Sequence, residues 1–204
     1  MDKKVFLFPL RDTLLFQKVT LPFHIFESRY RRMIKDSIDR NIPVAVLPIN
    51  ENNRYENAVC IAGYPHILTT YEDGRMDIYI SGTQKCRLTH ILQEDPFHVY
   101  EFINLKENLQ VEEIHIPDLE CLNNMLLSWS NNFLASAEQR QSFVKNLEDI
   151  ELMINYCGVF LLNDIKFKEA FVRAETLSKK IEILFKAIGP KELALGPFLP
   201  TLKF

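Results

Sequence analysis

The sequence predicts an α+β fold, with a β-rich, barrel-type N-terminal subdomain carrying one inserted helix over residues 1–112 and a C-terminal helical bundle over 117–204. Three observations carry this expectation. Seven of the ten prolines lie at or before Pro117, and none falls between Asp118 and Gly189. Before Pro117, apolar and polar residues alternate in short runs rich in β-branched and aromatic residues, which is the period of a pleated strand. Beyond it, apolar residues recur every three or four positions, which is the period of an amphipathic helix.

In chain order, strands are expected at Val5–Leu7, Val44–Ile49, Val59–Ala62, Ile78–Ile80 and Val99–Leu105. Tyr71-Glu72-Asp73-Gly74-Arg75 is the clearest turn, because Asp-Gly accepts the positive φ values of a tight two-residue hairpin. Ile67–Thr70 should pair with Met76–Ile80 across it. One helix interrupts the strands over about Glu27–Arg40: Phe26, Tyr30, Met33, Ile34 and Ile38 form a single stripe, and Pro43 closes the segment. In the second half Asp118 is the expected N-cap of a long helix with Leu119, Leu122, Leu126, Trp129 and Phe133 on one face. Further stripes run through Leu147, Ile150, Ile154, Cys157 and Leu161, and through Leu177, Ile181, Leu184, Phe185 and Ile188. Gly189-Pro190 should stop the last of these three or four helices, and the remaining prolines are Pro197 and Pro200.

Composition narrows the function. With 204 residues, 47% hydrophobic and 25% charged, the chain has enough apolar surface to fold, so disorder is excluded as its main character. Its 24 basic and 27 acidic residues give a net charge of −3, which supplies no global field for nucleic acid. Lys3 and Lys4 precede an apolar run that Arg11 and Asp12 end too early for a secretion signal. No stretch approaches the roughly 20 apolar residues of a membrane-spanning helix; Tyr156–Leu162 stops at Asn163 and Asp164. A cytoplasmic protein without a membrane partner is expected. Cys60, Cys86, Cys121 and Cys157 contain no Cys-x-x-Cys pair and read as buried thiols. The six glycines (63, 74, 82, 158, 189 and 196) include none followed by lysine and no Gly-x-Gly. No phosphate-binding loop or dinucleotide fingerprint exists, and no cofactor is implied.

Phe8-Pro9-Leu10-Arg11-Asp12, Leu14-Leu15-Phe16 and Leu21-Pro22-Phe23-His24-Ile25-Phe26-Glu27-Ser28-Arg29-Tyr30 strongly resemble the opening of the Lon protease N-terminal domain, the substrate-binding module, and its free-standing members above all. Asp73-Gly74-Arg75, followed by Gly82-Thr83-Gln84-Lys85-Cys86-Arg87, is similar to that family's hairpin, strand and Gly-basic pattern. Lys168–Val172 followed by Leu177–Ile188 mirrors the short and long helices that close the domain. The family's usual Phe-Pro-Gly turn stands here as Phe16-Gln17-Lys18, and Gln110–Asn146 is poorly matched. The resemblance implies a PUA-like β-subdomain joined to a small helical bundle, without the motor and the serine-lysine peptidase of full-length Lon. The implied role is therefore non-catalytic, with unfolded or exposed hydrophobic polypeptide segments, or a protease complex, as partners.

Candidate peptide-binding residues are Phe16, Phe23, His24, Phe26, Glu27 and Arg29. The rings, with Phe6 and Phe8, could leave an apolar strip between the two halves, which would form one rigid unit; apolar contact is what recognition of unfolded chains requires. Most such rings fill the core of a small barrel. Glu27, Arg29, Arg31 and Arg32 lie where a strand gives way to a helix, and Glu27 with Arg29 could fix a peptide's orientation. The bland alternative is that Glu27 caps the helix and Arg29 pairs with a carboxylate. His24, His66, His90, His98 and His115 show no metal-binding or metalloprotease spacing, and a hydrolase would require one of them beside a nucleophile. RNA binding through Arg29, Arg31, Arg32 and Lys35 is opposed by Glu27, Asp36 and Asp39, and by 14 basic against 15 acidic side chains in the first 112 residues. A third alternative is an adaptor that docks on a protease or another complex.

Overall fold

Alternating residues in the N-terminal part resolve into six strands, five of which close on themselves. The structure, a computed structural model, describes residues 3–195, with side chains through Gly189; the chain divides into Met1–Lys106 and Glu107–Phe204. The first unit contains β1 (Lys4–Leu10), β2 (Thr20–Ile25), α1 (Ser28–Arg40), β3 (Val44–Pro48), β4 (Val59–Thr70), β5 (Met76–Gln93) and β6 (Val99–Asn104). Strand order is β2-β5-β4-β3-β1-β6, and β6 pairs again with β5. Five strands thus form a ring, with β2 attached outside it.

The length of β5, 18 residues, makes this closure possible. Its first part pairs with β2, from Ile25↔Met76 to Thr20↔Ser81. Its last part pairs with β6, from Cys86↔Asn104 to Gln93↔Val99, while β4 occupies the opposite edge. The partner changes around Gly82, whose N–H donates to the Val19 carbonyl at 3.0 Å and whose carbonyl accepts from Lys18 at 2.8 Å. A Cβ on Gly82 would lie 2.1 Å from the Phe16 carbonyl oxygen, and one on Gly63 of β4 would lie 1.9 Å from that of Ser81. Lys18 adopts φ 62°, so lysine takes the left-handed conformation at the place where the resembling turn carries glycine.

Each ring strand sends two alternate residues into one core: Val5 and Leu7, Ala45 and Leu47, Cys60 and Ala62, Cys86 and Leu88, Tyr100 and Phe102. The other face of β1 is covered too, with Phe6 against Phe97 (ring centroids 4.9 Å apart) and Phe8 against Tyr30 of α1 (4.7 Å). The expected helix stripe is narrower than its periodicity suggests. Phe26 precedes the helix and is 62% exposed, and Ile38 is 43% exposed. Ser37 is buried instead and donates to the Ile42 carbonyl at 2.6 Å, a local bond that makes a hydroxyl acceptable inside. The Asp-Gly turn also differs: Tyr71 and Arg75 still pair, and Glu72-Asp73-Gly74 forms a three-residue loop with only Gly74 at positive φ, 81°.

The thiols are free. Cys60, Cys86 and Cys157 are buried and Cys121 is half-buried. Cys60 and Cys86 face each other across β4 and β5 with sulfurs 3.4 Å apart. Hydrogen bonding to Cys86, followed by burial, pushes the Cys60 thiol well above its ordinary range, and burial raises Cys157. Cys60 and Cys157 thus pack in the interior as neutral thiols.

The second unit holds α2 (Ile116–Phe133), α3 (Ala137–Asn146), α4 (Ile150–Phe160), α5 (Ile165–Arg173) and α6 (Leu177–Leu195). That is one helix more than expected. Helix α3, ten residues long, begins at a capping box in which Ser136 accepts from the Gln139 N–H. Asp118 is not the N-cap of α2: His115 holds that position, Pro117 sits in the first turn, and Asp118 pairs with His115 Nδ1 at 2.9 Å. Leu122, Leu126 and Trp129 are buried as expected, whereas Phe133 and Ile150 are 40% and 46% exposed at helix ends. Trp129 stacks on Phe160 at 4.0 Å and meets Phe143 at 5.6 Å. As expected, the helical run from Leu177 stops at Gly189, whose φ 69° and ψ 161° are non-helical, and a second helical stretch follows within α6. Pro197 and Pro200 lie outside the described residues.

A buried ion pair fastens the entry of this unit to its last helix. Lys180 Nζ lies 2.6 Å from Glu107 Oε1, 3.1 Å from Asn155 Oδ1 and 5.0 Å from the Phe171 ring centre. Asn108 exchanges backbone hydrogen bonds with the Glu175–Leu177 segment beside it.

Two substitutions test these arrangements. Gly82→Ala should lower the unfolding free energy by about 3 kcal/mol, the upper part of the range for overpacking, because backbone rather than a side chain obstructs the new methyl. Lys180→Met, which keeps the volume and removes the charge facing Glu107, should cost about 3 kcal/mol. Denaturant titration measures both, and unchanged midpoints would contradict the proposed closure and clamp.

Candidate functional site

The exposed residues of β2 and the hairpin between β4 and β5 assemble one aromatic cluster. Along β2, Thr20, Pro22 and His24 are exposed while Leu21 and Phe23 are half-buried and Ile25 is buried, the alternation of a strand with one solvated face. Antiparallel register places His24 opposite Asp77 of β5. His24 Nδ1 lies 2.6 Å from Asp77 Oδ1, and the Tyr71 hydroxyl donates to Asp77 Oδ2 at 2.5 Å. One carboxylate thereby fixes two rings.

Phe26 completes the group. Its ring stacks on His24 with centroids 6.4 Å apart and planes 24° from parallel, and Tyr71 meets His24 edge-on at 5.9 Å. Phe26 and Tyr71 remain 62% and 41% exposed. Leu68, an extra residue inserted where the β4–β5 register shifts, is 60% exposed. The surrounding charges are already engaged. Arg75 Nε donates to Asp73 at 2.6 Å, its guanidinium lies 5.6 Å from the Tyr71 ring centre, and Arg31 donates to the Asp73 carbonyl at 2.6 Å. Arg29 Nε donates to Glu27 at 3.0 Å and its guanidinium lies 5.5 Å from the Tyr30 ring centre.

The structure separates the sequence-predicted residues into three groups. His24 and Phe26 lie in the cluster. Glu27 and Arg29 adjoin it and pair with each other, as the bland reading has it; Glu27 occupies the N-cap position, but its side chain does not cap α1. Phe23 is half-buried, with its ring 6.0 Å from Phe8. Phe16 is only 2% exposed and shares no surface with the others, because its segment is enclosed where it crosses Gly82. The expectation that its ring faces a partner is corrected accordingly.

Sequence reasoning missed Tyr71 and Asp77. Both flank the Asp-Gly turn it identified, but the pairing of β2 with β5, which brings His24 to them across 53 positions, has no local signal. Arg32 sits 3.8 Å from Asp36, so the basic residues of α1 are partly neutralised within the fold. Among the described residues, no histidine hydrogen-bonds a serine, threonine or cysteine side chain. Nor could any group of three His, Cys, Asp or Glu residues hold a metal ion. What the site offers chemically is an exposed aromatic platform in which the Asp77 carboxylate holds two of the rings.

Hydrogen bonding by Tyr71, then by His24, holds the Asp77 carboxyl below the usual carboxylate range, and the bond to Asp77 raises the Tyr71 phenol. The signs follow from linkage. The contribution of Asp77 is complete above the usual carboxylate range and disappears as pH falls through its lowered folded value, whereas that of Tyr71 is complete below the ordinary phenol range and disappears as pH rises through its raised folded value. In an NMR titration, Tyr71→Phe should move the Asp77 midpoint upward and His24→Ala should do so to a smaller extent; an unmoved midpoint would show that these bonds do not form in solution.

Comparison with known proteins agrees with this architecture. The family model for the ATP-dependent protease La (LON) substrate-binding domain matches residues 4–186. The fold is similar to the crystal structure of a Lon N-terminal domain protein from Xanthomonas campestris, with TM-score 0.68 and 16% identity over 89% of this chain and 96% of that one. It is equally similar to the N-terminal domain of Mycobacterium avium complex Lon protease, with TM-score 0.68 and 11% identity over 90% and 97% of the two chains. No curated protein matches the chain. Among the described residues no helix is long and apolar enough to cross a membrane. With its model spanning strands and helices alike, the chain belongs to the LON substrate-binding domain family.

Proposed function

We propose that this chain is a non-catalytic polypeptide-binding module that recognises exposed hydrophobic segments of partner proteins. The observation that carries the reading is Phe26, 62% exposed and stacked on a His24 that Asp77 holds in place. A large ring left in water against His24, itself edge-on to Tyr71, gains free energy when a partner's apolar side chain covers it. The rings are fixed in advance, so little of that gain is lost in ordering them. Glu27 and Arg29 lie beside the platform, where their carboxylate and guanidinium can orient a partner's polar backbone groups. The unfolded partner does lose conformational entropy on docking, so individual contacts are weak and undemanding in sequence. Family membership supports the same reading.

The test uses fluorescently labelled, reduced and carboxymethylated α-lactalbumin, a permanently unfolded chain, with anisotropy as the readout. The wild-type protein should bind it at micromolar concentration, and Phe26→Ser should weaken binding about tenfold, the equivalent of partly burying one large ring. Absence of binding, or equal binding by the variant, would overturn the reading or the assignment of Phe26 respectively.

A further inference from the structure

The bonding direction of β2 can be read from its neighbours. The Val19 carbonyl accepts from Gly82, and Leu21, Phe23 and Ile25 stand at the same parity opposite Ile80, Ile78 and Met76. In an antiparallel ladder the N–H and C=O of one residue point to the same side. Leu21, Phe23 and Ile25 therefore turn their backbone toward β5, as the Val19 carbonyl does, and Thr20, Pro22 and His24 turn theirs away. Pro22 has no N–H and falls in the outward set, where the β2–β5 ladder loses nothing by its presence. Among the described residues, no backbone group bonds Thr20, Pro22 or His24 on that side, and β2 is the last strand of the sheet order.

Free edges are ordinarily protected by charged side chains, above all lysine, or by proline; Pro22 removes one donor from this edge and leaves those of Thr20 and His24. The β2 sequence Thr-Leu-Pro-Phe-His-Ile carries no Lys, Arg, Asp or Glu. Its core-facing Leu21 and Phe23 remain half-buried, because no further strand covers them. Two donors (Thr20 and His24) and three acceptors (Thr20, Pro22 and His24), set at strand spacing, match another extended backbone. An uncharged edge matches an uncharged occupant, since no ion is stripped of water as it docks.

We infer that an extended, uncharged segment of a partner polypeptide, about six residues long with apolar side chains at alternate positions, docks on β2 as an added strand. Its backbone meets Thr20, Pro22 and His24, its apolar side chains extend the cover over Leu21 and Phe23, and one end runs onto Phe26. This inference rests on the polypeptide-binding reading above and specifies how the partner is held.

The experiment uses the full chain, isotopically labelled for NMR, and two probes: reduced carboxymethylated α-lactalbumin, and a ten-residue peptide of alternating valine and threonine. On binding, amide hydrogen exchange at Thr20 and His24 should slow at least about tenfold, while Leu21, Phe23 and Ile25, already bonded to β5, change little. N-methylation of one alternate set of peptide amides should weaken its binding about tenfold or more, and methylation of the other set should not. Binding without added protection at Thr20 and His24, or equal affinity of the two methylated peptides, would overturn docking on the edge and leave the polypeptide-binding reading standing. If neither probe binds, both fail together.

Discussion

Strand β5 must serve two partners along one edge, and the first unit depends on how it does so. Its 18 residues are enough to pair with β2 at one end and β6 at the other, but only if the chain can change partners between them. Gly82 lets the Phe16–Val19 segment pass close to β5, and Gly63 gives the same clearance on the β4 side. A methyl at either place would meet carbonyl oxygen, and backbone cannot step aside as the end of a side chain can. The ring closes because these two side chains are missing.

Closure accounts for the site as well. Since β6 completes the ring, β2 is left outside it with one bonded edge, and its outward residues are presented to solvent. The same register that holds β2 on β5 sets His24 against Asp77, and the hairpin returns Tyr71 to the other oxygen of that carboxylate. A rigid ladder thus supplies the geometry of an exposed aromatic surface. Rings are held by a charge that is itself satisfied, which leaves their apolar faces as what a partner meets.

The two units use charge differently. Around the cluster, Arg29 with Glu27 and Arg75 with Asp73 are paired in contact with water, where ion pairs contribute little stability and serve mainly to fix geometry, and Arg31 bonds the Asp73 carbonyl. Lys180 and Glu107 are 2% and 3% exposed, and there removing one partner would leave the other charge in a poorly solvated place. The pair joins the segment that enters the helical unit to α6, the last of its helices.

Much of this could be read from the chain. Alternation gave strands at Val5, Val44, Val59 and Val99, and the periods of Met33–Ile34 and Leu122–Leu126–Trp129 gave buried helix faces, because burial repeats with the geometry of the backbone. At Phe26 and Ile38 the buried face of α1 is narrower than its period implies, since periodicity marks a face without saying how much of it a neighbour covers. Helix α3 displays no apolar period because Phe143 is its one buried residue. His24 and Phe26 stand in one local run that marks them as candidates. Whether a ring such as Phe16 is enclosed or one such as Phe26 is left in water depends on which strand lies across it. That pairing joins residues more than fifty positions apart through backbone groups that every residue shares, so the side chains determined the elements, and the closure of the sheet decided which of them reach the surface.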